Sequence, residues 1–270
     1  MKDWQKTSNC CFTEVHNCLL ESFALIMTAK ENYFNPLTFI ASVNAAIQSL
    51  RNITFRIQNL KADIVNFDEW YKNWQTTLKS DKMSLWIHDS RTKIVHQEGL
   101  KMNSMIRIGV SKRNNEFLMK DYAVDPFVDL DTISKVFVES CPLTPDEKKD
   151  ALLIVERLWV DDDFLEHDVI DILAYNFVKM EKMLSDLHVH CGMKNCQFLS
   201  NGRRHSYLAR EQDEIVGPSC FVMSNLSRTV WVRLDTGEKL TKGLTPYSQK
   251  ENLTETALKR YPEPEIPDYI

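Results

Sequence analysis

The strongest constraint on the fold is one unbroken apolar stripe. It begins at Asn35-Pro36, a capping residue followed by the proline favoured in a first helical turn. From there Leu37, Ile40, Val43, Ile47, Leu50, Ile53, Ile57 and Leu60 recur at helical spacing. The stripe runs for roughly seven turns at about 3.6 residues per turn. A helix of that length with one apolar face must be covered by other elements. Candidate partners flank it. Phe12, Val15, Leu19, Phe23, Ile26 and Met27 form an earlier stripe, and Phe67, Trp70, Trp74 and Leu78 a later one. Ser80 or Asp81 caps a fourth helix holding Leu85, Trp86, Ile87, Ile94 and Val95, with Gly99 as its end. Four helices with short connections predict an antiparallel, up-and-down bundle over residues 1–103.

The pattern changes over residues 104–270. Met105 to Val110 reads as a strand, Asn114-Asn115 as a turn and Glu116 to Lys120 as the returning strand. Lys135 to Glu139 reads as a further strand. Helical spacing returns from Pro145 to Val160 and again from Asp168 to His190. Val230 to Leu234 and Glu238 to Leu240 flank Asp235-Thr236-Gly237, a hairpin signal. The tail from Pro262 to Pro267 reads as extended. The fold class expected is therefore α+β, a helical bundle followed by a smaller mixed α/β region.

Composition limits the function classes. With 43% hydrophobic residues, 7 Gly and 9 Pro, the chain can fill a core and is too apolar for disorder. Its formal charge of −5 argues against non-specific coating of nucleic acid, so any such role rests on a local site. Seven cysteines, irregularly spaced, argue against a disulfide framework and for reduced thiols. No apolar run approaches the ~20 residues of a membrane span, and the first residues lack a signal-peptide core. A cytoplasmic protein that does not contact a membrane is expected.

The most informative segment is Met83 to His96, with Arg91-Thr92-Lys93-Ile94-Val95-His96 at its end. RNA can cleave itself when a 2′-hydroxyl attacks the adjacent phosphorus. A histidine can move the proton near neutral pH, and an arginine can hold the phosphate in the transition state. Neither role needs a metal. On a straight helix Arg91 and His96 point roughly 140° apart at about 100° per residue, whereas Asp89, Thr92 and His96 share a stripe. A site here requires a distorted helix or a second subunit.

A helical bundle ending in Arg-x4-His resembles the HEPN superfamily, whose catalytic members are metal-independent ribonucleases that form composite sites in dimers. The resemblance covers roughly residues 10 to 100. It implies Arg91 and His96 as catalytic residues, Asp89 and Thr92 in support, RNA as substrate, a homodimer, and no cofactor or metal. Thr92 departs from the Asn, Asp or His that often follows the motif arginine. The resemblance also admits, as the alternative, a non-catalytic member acting as a binding or scaffold protein with a regulatory protein partner.

Other clusters carry weaker signals. His188-Val189-His190-Cys191-Gly192-Met193-Lys194-Asn195-Cys196, with His205 beyond, holds zinc-type ligands in no recognised zinc spacing. Its plainer reading is a helix closed by Gly192 with buried thiols nearby. Asp161-Asp162-Asp163 with Glu166, His167 and Asp168 offers carboxylates for a cation or a helix start. Trp70, Tyr71 and Trp74 can stack on bases but at helical spacing belong more naturally to a core. No glycine-rich phosphate loop supports ATP or dinucleotide use.

Overall fold

The computed structural model describes residues 10–96, 100, 102–112, 117–165, 167–193 and 228–240. Gly99, Asn114-Asn115, Glu116, Glu166, Cys196, His205 and the 262–267 tail, all given roles from sequence, lie outside them. Among the described residues the chain is α+β, with seven α-helices and a five-stranded antiparallel sheet. It divides into two compact units. One comprises Met1–Tyr33, Leu37–Lys101 and Asp163–Val222; the other comprises Phe34–Pro36, Met102–Asp162 and Met223–Ile270.

The first unit is helical. It contains α1 (Thr13–Glu31), α2 (Pro36–Asn59, but for its first residue), α3 (Phe67–Ser80), α4 (Lys82–His96) and α7 (Val169–His190). The long stripe forms α2 as the spacing predicts. Phe39, Val43, Ala46, Ile47, Leu50, Ile53 and Ile57 are buried, while Leu37 at the first turn is exposed. α1 packs on α7, and α4 packs on both α3 and α7. Asp168 caps α7, its side chain accepting from the Ile170 N–H at 2.8 Å. That carboxylate also accepts a hydrogen bond from the Tyr33 hydroxyl. Asn66 starts α3 in the left-handed region at φ 54°, which Asn tolerates better than most residues.

The second unit is the sheet, in strand order β2-β1-β3-β4-β5. β1 (Asn103–Ser111) pairs with β2 (Phe117–Val124), and β4 (Thr229–Arg233) with β5 (Lys239–Leu240). Both hairpins fall where the sequence places them. Gly237, at φ +71°, makes the second turn possible. Two expectations are corrected here. Lys135 to Glu139 is not a strand but part of α5 (Leu130–Ser140). Its β-branched and aromatic residues favour a strand locally, but Asp129 caps the segment by accepting from the Thr132 N–H at 2.7 Å, and Leu130 and Ile133 enter the core. Pro145 to Val160 is not one helix. After the five-residue α6 (Pro145–Lys149) the chain turns into β3 (Leu152–Val160). Its apolar run matches helical spacing by accident. As the central strand it is buried at all but one position, which erases the alternation that marks a half-exposed strand.

β3 also carries a buried cation. Arg157, 0% exposed, donates to Ser104 Oγ at 2.8 Å and to the carbonyls of Val128 and Pro126 at 3.0 and 2.9 Å. Its guanidinium lies 4.3 Å from the Trp159 ring centroid. These contacts tie the connection before α5 to the sheet.

Candidate metal centre

α1 and α7 bring together three side chains distant in sequence. Cys10 precedes α1 in a tight turn, with the Thr13 hydroxyl donating to the Cys10 carbonyl at 2.6 Å and the Phe12 N–H to Cys10 Sγ at 3.4 Å. His16 lies in the first turn of α1, on its buried face. His188 lies in the last turn of α7. Beyond it Gly192, at φ +69°, ends the helix, and the Met193 N–H returns to the His188 carbonyl at 2.8 Å. This is the glycine-closed helix end read from the sequence.

His188 Nε2 is 3.2 Å from Cys10 Sγ and 3.3 Å from His16 Nε2. All three ligand atoms lie within 4.8 Å of one another, and each residue is buried. Among the described residues this is the one cluster of Cys, His, Asp or Glu side chains able to offer three atoms to a single ion. The Phe12 ring packs edge-on against the His188 imidazole, closing one side with an apolar wall.

The protonation pattern follows from the geometry. His188 Nδ1 is 2.7 Å from the Leu184 carbonyl, which can only accept, so Nδ1 carries the proton and Nε2 presents its lone pair to the cluster. Burial lowers the pKa of His188, partly countered by that carbonyl. Burial, and secondly the neighbouring His188, lower His16 to about 3. Both imidazoles are therefore neutral near pH 7, the form that binds metal.

The sequence shows no recognised metal-ligand spacing. It marks His188 and Cys191 but not Cys10 and His16, because 178 and 172 positions separate these two from His188. Cys191 caps α7 and its thiol is pushed up by burial; it is not one of the clustered ligands. Of the acidic run, Asp168 serves as a helix cap, and Asp162 accepts from Asn103 Nδ2 at 2.5 Å.

The residues proposed from sequence lie on α4, an uninterrupted helix. Arg91 is half-buried, its guanidinium 5.4 Å from the Phe55 ring centroid, while His96 is exposed at the helix end. Asp89 pairs with its neighbour His88 at 2.9 Å, and the Thr92 hydroxyl donates to the His88 carbonyl at 3.2 Å. One chain thus supplies no helix distortion that would join Arg91 to His96. Trp70 and Tyr71 are buried, and the indole N–H groups of Trp70 and Trp74 both donate to Asp186 Oδ2, at 2.8 and 2.7 Å.

A family model described as bacteriophage lambda protein ea47 matches residues 4–265. Protein ea47 of Escherichia phage lambda is 24% identical over 175 residues, covering 61% of this chain and 41% of that protein. The chain thus spans about two-fifths of the length of the relative it matches. No solved structure matches. These findings overturn the resemblance to the HEPN superfamily: the match runs through both units, whereas Arg-x4-His is a short pattern on one helix. Among the described residues no helix is long and apolar enough to cross a membrane.

Proposed function

The chain belongs to the family of bacteriophage lambda protein ea47, and from the residues its helical unit gathers we propose that it is a transition-metal-binding protein. Cys10, His16 and His188 hold an ion of the zinc type and clasp the start of α1 to the end of α7. One observation carries this reading. The lone pair of His188 Nε2 is aimed by the Leu184 carbonyl at two atoms, Cys10 Sγ and His16 Nε2. A single sp² lone pair accepts one good hydrogen bond, so two neighbours at this range compete for it. A cation among the three atoms uses every lone pair at once.

The spacing supports the same reading. Two nitrogens bound to tetrahedral zinc at about 2.05 Å lie about 3.3 Å apart, and the two Nε2 atoms are 3.3 Å apart. A zinc thiolate at about 2.3 Å gives a sulfur–nitrogen separation of about 3.5 Å, against 3.2 Å between Cys10 and His188. Cys10 Sγ, within 4.8 Å of the His16 ligand nitrogen, meets both separations by shifting slightly away from His188 and toward His16. The Nδ1–H to carbonyl bond of His188 is the outer-shell contact that orients metal-bound histidines. Borderline-soft nitrogen and sulfur ligands suit zinc and disfavour magnesium or calcium. Three protein ligands leave a fourth position for water or another side chain.

Elemental analysis of the purified chain tests the proposal. It should carry about one zinc per chain, and His188→Ala should carry none while retaining helical circular dichroism. A metal-free wild type that also fails to take up zinc on dialysis refutes it.

A second reading, metal-independent RNA cleavage by Arg91 and His96 in a homodimer, rests on narrower ground. Arg91 has no carboxylate partner among the described residues, and His96 is exposed. Incubation of the pure protein with total RNA, in buffer without divalent ions, tests it.

A further inference from the structure

A cleft of about 170 Å³ opens among α2, α3, α4 and α7. Its charged lining is all cationic: Arg51 from α2 and Lys79 from α3, with His88 from α4 beside them and no carboxylate. In a chain of net charge −5 this local excess calls for a counter-charge. Arg51 is half-buried, and among the described residues it pairs with no acid; its side chain donates to Thr54 Oγ1 at 2.5 Å. Arg51 and Arg91 share one aromatic neighbour, lying 5.0 and 5.4 Å from the Phe55 ring centroid. Burial is the main influence lowering the Arg51 pKa, and the Arg91 charge adds to it. Two guanidiniums are thus held near each other with no anion from the described residues between them.

The remaining polar groups suit an oxygen-rich ligand. Asp89 holds His88 Nδ1 at 2.9 Å, so Nε2 remains for a ligand. Gln58 donates to the Tyr71 hydroxyl, and both line the cleft. The volume is below the ~300 Å³ at which pockets for drug-sized ligands begin, so a compact group is favoured. Planar guanidiniums bind phosphate through paired N–H donors, and a lysine adds a point charge.

We propose that this cleft binds the phosphate group of a small phosphate monoester, held by Arg51, Lys79 and His88. The site is separate from the proposed metal centre and does not depend on it.

Calorimetric titration of the full chain, with metal content fixed, tests this. The probes are inorganic phosphate and a nucleoside monophosphate, with chloride at matched ionic strength as control. At least one phosphate probe should bind at one per chain. If only the nucleotide binds, the ester's organic part is also recognised. Arg51→Gln should weaken binding about 10- to 100-fold, the loss of one or two charge-assisted hydrogen bonds. Lys79→Gln, at an exposed position, should weaken it severalfold and controls for any misfolding of Arg51→Gln. Absence of binding by either probe overturns the proposal. Wild-type affinity in Lys79→Gln together with wild-type affinity, or loss of fold, in Arg51→Gln overturns it too.

Discussion

His16 and His188 face each other nitrogen to nitrogen, Nε2 to Nε2 at 3.3 Å, across 172 positions of sequence. Both are buried and both are held neutral, His16 with a pKa lowered to about 3 by burial and secondly by His188. Two neutral imidazoles meet in this way when a proton or a metal ion lies between them, and the thiol of Cys10 at 3.2 Å from His188 favours the metal.

Removing the ion should loosen the clasp between α1 and α7. A ligand present at 1,000 times its dissociation constant stabilises the folded state by about 4 kcal/mol. For a chain of this size each kcal/mol moves Tm by roughly 2–4 °C. A strong chelator should therefore lower Tm by about 10 °C, and added zinc should restore it. Differential scanning calorimetry checks both steps; an unchanged Tm at confirmed zinc loss means that the metal does not support the fold.

Glu181 offers a test in pH. It is half-buried on α7, and desolvation raises its pKa from 4.5 to about 7. Between those values the folded state binds more protons than the unfolded state, so this group's contribution falls as pH rises. It is fully present below about pH 4.5 and lost above about pH 7. Glu181→Gln, which has no charge to bury, should raise Tm relative to wild type at pH 8 and leave it nearly unchanged at pH 4.5. Equal effects at both values contradict the assignment.

The sheet unit has its own weak point. Arg157→Ala removes the donors to Ser104 Oγ, Val128 O and Pro126 O and leaves a cavity beside Trp159. Buried acceptors left unpaired cost about 1–3 kcal/mol each, so a loss of about 3 kcal/mol or more is expected. Urea denaturation measures it; a loss under about 1 kcal/mol, within the range of ordinary surface changes, contradicts the role given to Arg157.

For RNA cleavage the decisive variants are His96→Ala and Arg91→Ala. Loss of a general acid or base costs about 10²- to 10⁴-fold in rate. His96 is exposed, so its removal should leave the melting temperature near that of wild type. If wild type cleaves RNA and His96→Ala cleaves it equally well, these two residues do not form the site.

The elements legible from sequence were those whose signals are local. The α2 stripe, the Asp168 to His190 helix and its end at Gly192, and the turn at Asp235-Thr236-Gly237 each carry their own cap, period or glycine. β3 carries a helix-like pattern because a central strand buried on both faces loses its alternation. α5 looks like a strand in sequence because Val136, Phe137 and Val138 favour one until the Asp129 cap and the packing of Leu130 and Ile133 decide otherwise. The residues of the proposed metal centre are hidden for another reason. Zinc spacing is readable when ligands share a loop, and here one lies on α7 while two lie near the start of α1. Only the packing of those helices joins them.

Cobalt titration of the metal-free chain is the sharpest probe of the Cys10, His16 and His188 cluster, because cobalt(II) reports both geometry and ligand type. Saturation is expected at one ion per chain, with the visible bands of a tetrahedral site and a thiolate-to-cobalt absorption that Cys10→Ser abolishes and zinc displaces. A titration with no thiolate absorption, or one that persists unchanged in Cys10→Ser and in His188→Ala, would show that Cys10, His16 and His188 do not hold a metal.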